Sequence, residues 1–214
     1  MPGKTKFTQE DLIETAFDLV RKYGWEGLSA RAIAEKLGSS TMPIYSTLKS
    51  MNSLEEEVIR KAFSLLRESM HTRRTGDQWL DFALGYVLFA RDERNLFRCI
   101  HQERYIHLHE KYCFPQFEKN SQTLGNYPAF KGMDEKNFEW IMHTSYFLVY
   151  GIASRLNLGL LDMPEDSLIQ YLKDIQTTLL KGVKESRKSG KHLSHDYIPI
   201  SKRKCERMTD DERL

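Results

Sequence analysis

Residues 28–45 read LSARAIAEKLGSSTMPIY, and the fold turns on this stretch. Ser29 is a helix N-cap type, and Ala32, Ile33 and Leu37 recur at helical spacing behind it. Gly38 stops that helix, as the position after a C-cap prefers. A second short helix is expected from Ser40, with Pro43 in its first turn, where a missing N–H is tolerated. Ala34 is small where the two helices would cross, and Ile44 packs back. Two short helices joined by a tight glycine turn form a helix-turn-helix, whose second helix fits the major groove of DNA.

Working outward, period-3.6 patterning recurs along the chain and sustained period-two alternation does not, which predicts an all-α fold. Thr8 to Asp11 resembles a capping box with Asp in place of Glu or Gln. The helix it opens carries Leu12, Ile13, Ala16, Phe17, Leu19 and Val20 as its buried stripe, with Gly24 as its stop. The third helix is expected to end near Lys49. Ser53 then caps a long fourth helix from Leu54 to about His71. Further helices are expected over Asp77 to Arg91, Glu93 to Tyr112, Asp134 to Leu158 and Glu165 to Arg187. Pro115, Gly125, Pro128 and Gly132 make residues 114–133 partly loop. Helix lengths change near residue 52. The expected organisation is therefore a three-helix DNA-binding domain over 1–52, a larger helical domain over 53–188, and a basic, mobile tail over 189–214.

The residues Ala16, Leu19, Tyr23, Gly24, Gly27, Leu28, Ser29, Arg31, Ile33, Ala34, Leu37, Gly38, Ser40, Ile44, Tyr45, Lys49 and Leu54 together resemble the TetR family of bacterial transcriptional regulators. The resemblance covers about the first 55 residues. It implies that Ser40 opens the recognition helix with N–H groups aimed at a phosphate, and that Thr41, Met42 and Pro43 press into the groove. Thr47 lies farther along the same face. It also implies that Tyr45 and Lys49 hold phosphates, and that Ser29 and Arg31 touch backbone or bases. There are departures. Met51 stands where the family often has lysine, so binding leans on Lys4, Lys6 or the basic tail. The recognition helix also lacks Arg, Asn and Gln, which disfavours bidentate base reading from it.

The second domain is rich in aromatics, which suits a pocket for a small apolar or aromatic effector. His101, Tyr105, Phe117, His143 and Phe147 are the candidate ligand contacts. The helix from Asp134 is apolar on more than one side, so one face meets its own core and another a partner. In the family resembled, the last two long helices form a four-helix dimer interface. That implies a homodimer through Leu148, Ile152, Leu168, Leu172, Ile175 and Leu179, reading a pseudo-palindromic double-stranded operator.

Other classes find little support. The net charge is only +2, so nucleic-acid binding rests on local placement of charge. From Arg187 to Arg207 there are seven Lys or Arg against two acids. The longest stretch without a charged residue, Trp140 to Ser154, is 15 residues, too short to span a bilayer. With no signal-peptide pattern, a cytoplasmic protein with no membrane partner is expected. Cys99, His101, His107, His109, Glu110 and Cys113 offer only two-ligand spacings, so neither a metal nor a cofactor is expected. No GxSxG, GxGxxG or P-loop motif occurs, so no enzyme activity is expected. The expected function is a ligand-responsive repressor. The alternative is a DNA-binding activator or adaptor controlled by a protein partner.

Overall fold

The computed structural model describes residues 7–48 and 50–189, and every regular element among them is helical. Lys4, Lys6, Lys49, Cys205 and the basic tail from residue 190 lie outside the described residues. The helices are α1 (Gln9–Tyr23), α2 (Ala30–Lys36), α3 (Met42–Thr47), α4 (Met51–His71), α5 (Gln78–Asp92), α6 (Arg94–Ile100), α7 (Ile106–Tyr112), α8 (Phe114–Gly125), α9 (Glu135–Asn157) and α10 (Glu165–Ser189). Short 3-10 turns lie at Trp25–Gly27, Glu103–Tyr105 and Pro128–Phe130. Among the described residues no helix is long and apolar enough to cross a membrane.

Local chemistry sets the ends. At α1 the Thr8 hydroxyl accepts the Asp11 N–H at 3.1 Å, and the Thr8 N–H donates back to the Asp11 carboxylate at 2.7 Å. That reciprocal box holds the Asp11 carboxyl below its ordinary value. Gly24, at φ 74°, takes the left-handed turn that a side chain would resist.

Three boundaries differ from the sequence expectation. Helix α3 begins at Met42 and not at Ser40, because Thr41 is its N-cap. Helix α4 is capped by Ser50 and not by Ser53. Ser50 accepts the Ser53 N–H at 3.0 Å, and Ser53 is the returning partner of that box. Residues 93–112 are not one helix. Gln102 is extended (ψ 140°), and the chain passes through a 3-10 turn before α7. Residues 114–133 are partly loop, as expected: Pro115 sits in the first turn of α8, where it removes no hydrogen bond, and residues 126–127 and 131–133 are non-helical.

Helix α5 is the axis of the molecule. Trp79, Leu80, Phe82, Leu84, Tyr86, Val87, Leu88, Phe89 and Ala90 are all buried along it, between α4 on one side and α9 on the other. One apolar cluster runs from Leu12 in α1 to Leu172 in α10. The change of helix length near residue 52 is therefore crossed by continuous packing. A second cluster, around Trp79, Leu124, Phe130, Ile141 and Val183, closes the far end.

The assignment of Leu168, Leu172 and Leu179 to a partner interface is corrected. These leucines are buried within the chain itself, because α10 folds back on α5 and α9. The apolar residues left exposed on the last two helices are Phe147, Leu148, Tyr150 and Tyr171. Ile152 and Ile175 are half-buried.

Gly85 marks the α4–α5 crossing. A Cβ there would stand 2.2 Å from the Ser69 carbonyl oxygen and 2.5 Å from the Met70 Cα. The Ser69 hydroxyl donates to the Gly85 carbonyl at 2.9 Å across the same contact. Gly85→Ala forces the two helices apart. We expect it to destabilise by about 1–3 kcal/mol, seen in thermal unfolding as a fall of roughly 3–10 °C.

Candidate nucleic-acid interface

The turn between α2 and α3 is built by main-chain chemistry. Gly38, at φ 61°, donates its N–H to the Glu35 carbonyl at 3.1 Å, and Ser39 donates to the Ala34 carbonyl at 2.9 Å. These paired bonds are a Schellman motif, and they end α2 without leaving its last carbonyls unsatisfied. The chain then re-enters a helix at Met42.

Ile44 decides how that helix sits. It is fully buried, as is Ile33 of α2, and Ala34 is 4% exposed. With Ile44 inward, Met42 and Tyr45, three residues apart and so neighbours on the helix surface, face outward. They are 78% and 66% exposed, among the most exposed large apolar residues described. Such exposure favours folding in neither case and leaves both side chains open to a partner.

The other predicted contacts divide. Arg31, Ser40 and Thr41 are exposed, and Thr47 is half-buried. Ser29 is exposed too, but its hydroxyl accepts the Ala32 N–H at 3.1 Å, so it serves first as the α2 cap. Ser40 is in the turn, where its carbonyl accepts from the Ser39 hydroxyl at 3.1 Å. Pro43 lies in the first turn of α3.

Four of the five predicted ligand contacts join one aromatic chain in the second part of the molecule. Phe117 stacks on His143, centroids 5.7 Å apart. Both Phe117 and Phe147 touch Tyr146, which touches Tyr86, and Tyr86 meets His101. Tyr146 is the residue the sequence reading missed; it is half-buried and packs against the core cluster. Tyr105 does not join this chain. Its ring lies against Trp25 at 5.0 Å, and its hydroxyl donates to Glu55 at 2.7 Å. Burial first, and then that bond, push its phenol well above the ordinary range.

Two further contacts escaped the sequence reading because they join residues far apart in the chain. Arg21 of α1 donates from Nε to Glu93 at 2.7 Å and makes a second, parallel contact to the other carboxylate oxygen. The Asn95 amide donates to the Arg21 carbonyl at 3.1 Å.

The tautomer of His101 follows from its partners. Nδ1 faces the Phe97 carbonyl at 2.7 Å, which only accepts, so Nδ1 carries the hydrogen. In the neutral ring Nε2 is then an acceptor, and the Tyr86 hydroxyl donates to it at 3.0 Å. Burial lowers the His101 pKa to about 4 and raises that of Tyr86, so both are neutral near pH 7. Burial likewise pushes the thiols of Cys99 and Cys113 to about 12 and about 11, which keeps them protonated. A separate surface cleft of about 440 Å³ is lined by charged groups, Glu68, Arg74, Arg91, Glu93 and Glu165 among them.

No family model matches the chain. Over 119 residues it is 29% identical to the tetracycline repressor protein class C of Escherichia coli, a match covering 56% of this chain and 52% of that repressor. The chain thus spans about half the length of the curated relative it matches. Its fold is similar to that of a protein of unknown function from Rhodococcus sp. RHA1 (TM-score 0.65, 18% identity, 85% of this chain and 98% of that one). It is also similar to that of a TetR-like transcriptional regulator from Rhodococcus sp. RHA1 (TM-score 0.58, 16% identity, 82% and 95%). The likeness to TetR-type regulators seen in the helix-turn-helix residues is therefore repeated by a sequence relative and by a shared all-α fold.

Two outcomes follow from this geometry. Ile44→Ala should cost about 2–5 kcal/mol, while Tyr45→Ala stays within about 0.5 kcal/mol of the parent protein, both read by urea denaturation. For His101, the unfolded imidazole protonates near pH 6.5 and the folded one only near pH 4. The unfolded state therefore binds more protons in that window. Stability is complete above about pH 6.5 and falls, on the order of 3 kcal/mol from this group, as the pH approaches 4. Urea midpoints measured from pH 7.5 to pH 4.5 should show this slope, and His101→Gln should make it shallower, leaving the share of His109, whose pKa burial also lowers.

Proposed function

We propose that this chain is a DNA-binding transcriptional regulator. It acts as a twofold homodimer and is released from its operator by a small, uncharged apolar or aromatic molecule. The observation that carries the reading is the orientation of α3. Ile44 anchors it inward, while Met42 and Tyr45, with Thr41 in the turn beside them, are offered to solvent. Met42 and Thr41 suit thymine methyls and phosphate, and Tyr45 suits phosphate. Arg31, Ser29, Ser40 and Thr47 flank them, and Lys49 and Pro43 complete the assignment by resemblance.

The exposed Phe147, Leu148, Tyr150 and Tyr171 on α9 and α10 support pairing of two copies through these helices. Pairing there carries two α3 helices, and a symmetric pair reads a pseudo-palindrome. The aromatic chain around Tyr86, His101, Tyr146 and Phe117 supports an effector without charge, since Tyr86 and Tyr146 offer hydroxyls and His101 a neutral imidazole. An ion would lose its hydration there without an opposite charge to replace it. Release requires only that the effector bind the DNA-free arrangement better than the DNA-bound one. Repression, with the effector as inducer, is the simplest output of such a switch.

The test is a fluorescence-anisotropy titration against DNA tiles covering the regions that flank the coding gene, at two salt concentrations. Saturable binding to one tile is expected. Tyr45→Ala should weaken it and lower the salt slope by about one phosphate contact. Equal, weak binding to every tile by both proteins would reject sequence-specific regulation.

A further inference from the structure

Two ties join the helix-turn-helix to the segment 93–105, and both are directional. The first is Glu93, whose carboxylate receives the Arg21 guanidinium in a two-pronged grip, while the Asn95 amide holds the Arg21 carbonyl at 3.1 Å. The second is Tyr105, which is 4% exposed. Its ring lies on Trp25, in the turn that feeds α2, and its hydroxyl reaches Glu55, in the second turn of α4. Arg104 pairs with the same Glu55 carboxylate.

The positions of these anchors matter more than their number. Arg21 is in the last turn of α1, Trp25 precedes α2, and Glu55 follows α3. The segment 93–105 therefore holds the DNA-reading unit on both flanks, before α2 and after α3. Apolar packing at these places would keep the parts together but tolerate sliding. A forked carboxylate–guanidinium pair and a buried phenol–carboxylate bond fix angles as well as distance. In a symmetric dimer that angle matters, because the two recognition helices must stand about one DNA turn apart, roughly 34 Å, or a multiple of it. A tilt at these anchors is carried to α3 and doubled by the symmetry.

We infer that Tyr105 and Glu93 are positioning residues for DNA reading. From outside the helix-turn-helix they grip both of its flanks and set the separation of the two recognition helices. The inference rests on the DNA-reading function proposed above. Neither residue touches DNA; Tyr105 acts through Trp25 and Glu55, and Glu93 through Arg21.

The experiment compares the full chain with Tyr105→Phe, which keeps the ring on Trp25 and deletes only the hydroxyl. It also includes Glu93→Gln and the charge swap Arg21→Glu with Glu93→Arg. Each is titrated against the tile bound by the unsubstituted protein, and against that tile with two base pairs inserted at its centre. Amide hydrogen exchange and thermal unfolding are measured alongside. We expect Tyr105→Phe and Glu93→Gln each to weaken binding to the intact tile by roughly three- to tenfold, about 0.7–1.4 kcal/mol. Both should also narrow the gap between the two tiles. The swap should restore most of the loss. Faster exchange should be confined to residues 24–48, with α5 and α9 protected as before. Unchanged affinity and unchanged spacing preference in both single variants would overturn the inference while leaving the DNA-reading function standing. Uniformly faster exchange through α5 and α9 would also overturn it, by assigning both residues a merely structural role. Failure of the unsubstituted protein to prefer any tile would overturn the function itself, and this inference with it.

Discussion

The burial of Ile44 is the contact on which the proposed DNA-reading face depends. Helix α3 is six residues long, far too short to be stable alone. It exists because Ile44 is inserted against Ile33 and the rest of the α1–α4 core, and because the Gly38 turn delivers the chain at the right angle. Once Ile44 points in, the positions of Met42 and Tyr45 are fixed by helical geometry. A polar residue at 44 would lose the surface as well as the stability. On the proposed reading, the apolar core of the first three helices serves DNA contact indirectly, by fixing that face.

The rest of the molecule supports that face from a distance. Helix α5 is buried on nearly every side and ties α4 to α9. A disturbance among the aromatic residues beside α5 is therefore packed directly against the helix that follows α3. The continuity of the apolar cluster from α1 to α10 gives such a disturbance a physical route, without any need for a flexible linker. The His101 ring, held by the Phe97 carbonyl and Tyr86 and with its pKa lowered by burial, is itself neutral near pH 7. The solvent-facing side of α9, with Phe147, Leu148 and Tyr150, remains as apolar surface that a second copy can cover.

How much of this was legible in the sequence depended on how local the cause was. The Thr8 box, the Ser29 cap, the Gly38 turn and the inward Ile44 all follow from residues within a few positions of one another, and each stands as expected. Ser50 and Ser53 were interchangeable as caps on composition alone; the extended backbone at Ser50 decides between them. The leucines of α10 show the limit of periodicity. Spacing reveals that a face is buried, and not whether the chain or a partner buries it. Leu168 and Leu172 proved to be the chain's own core, while Phe147 and Tyr171, off the main stripes, are the exposed ones. Tyr105 and Arg21 were invisible as anchors because their partners, Glu55 and Glu93, lie 50 and 72 residues away.

The central claim is that two α3 helices enter the major groove of one duplex with a fixed separation. A hydroxyl-radical footprint of the protein on its highest-affinity tile tests it most directly. The account predicts two protected patches on one face of the duplex, related by symmetry and centred one helical turn apart, roughly 34 Å, or a multiple of that. A single patch, or even protection along the whole tile, would contradict it.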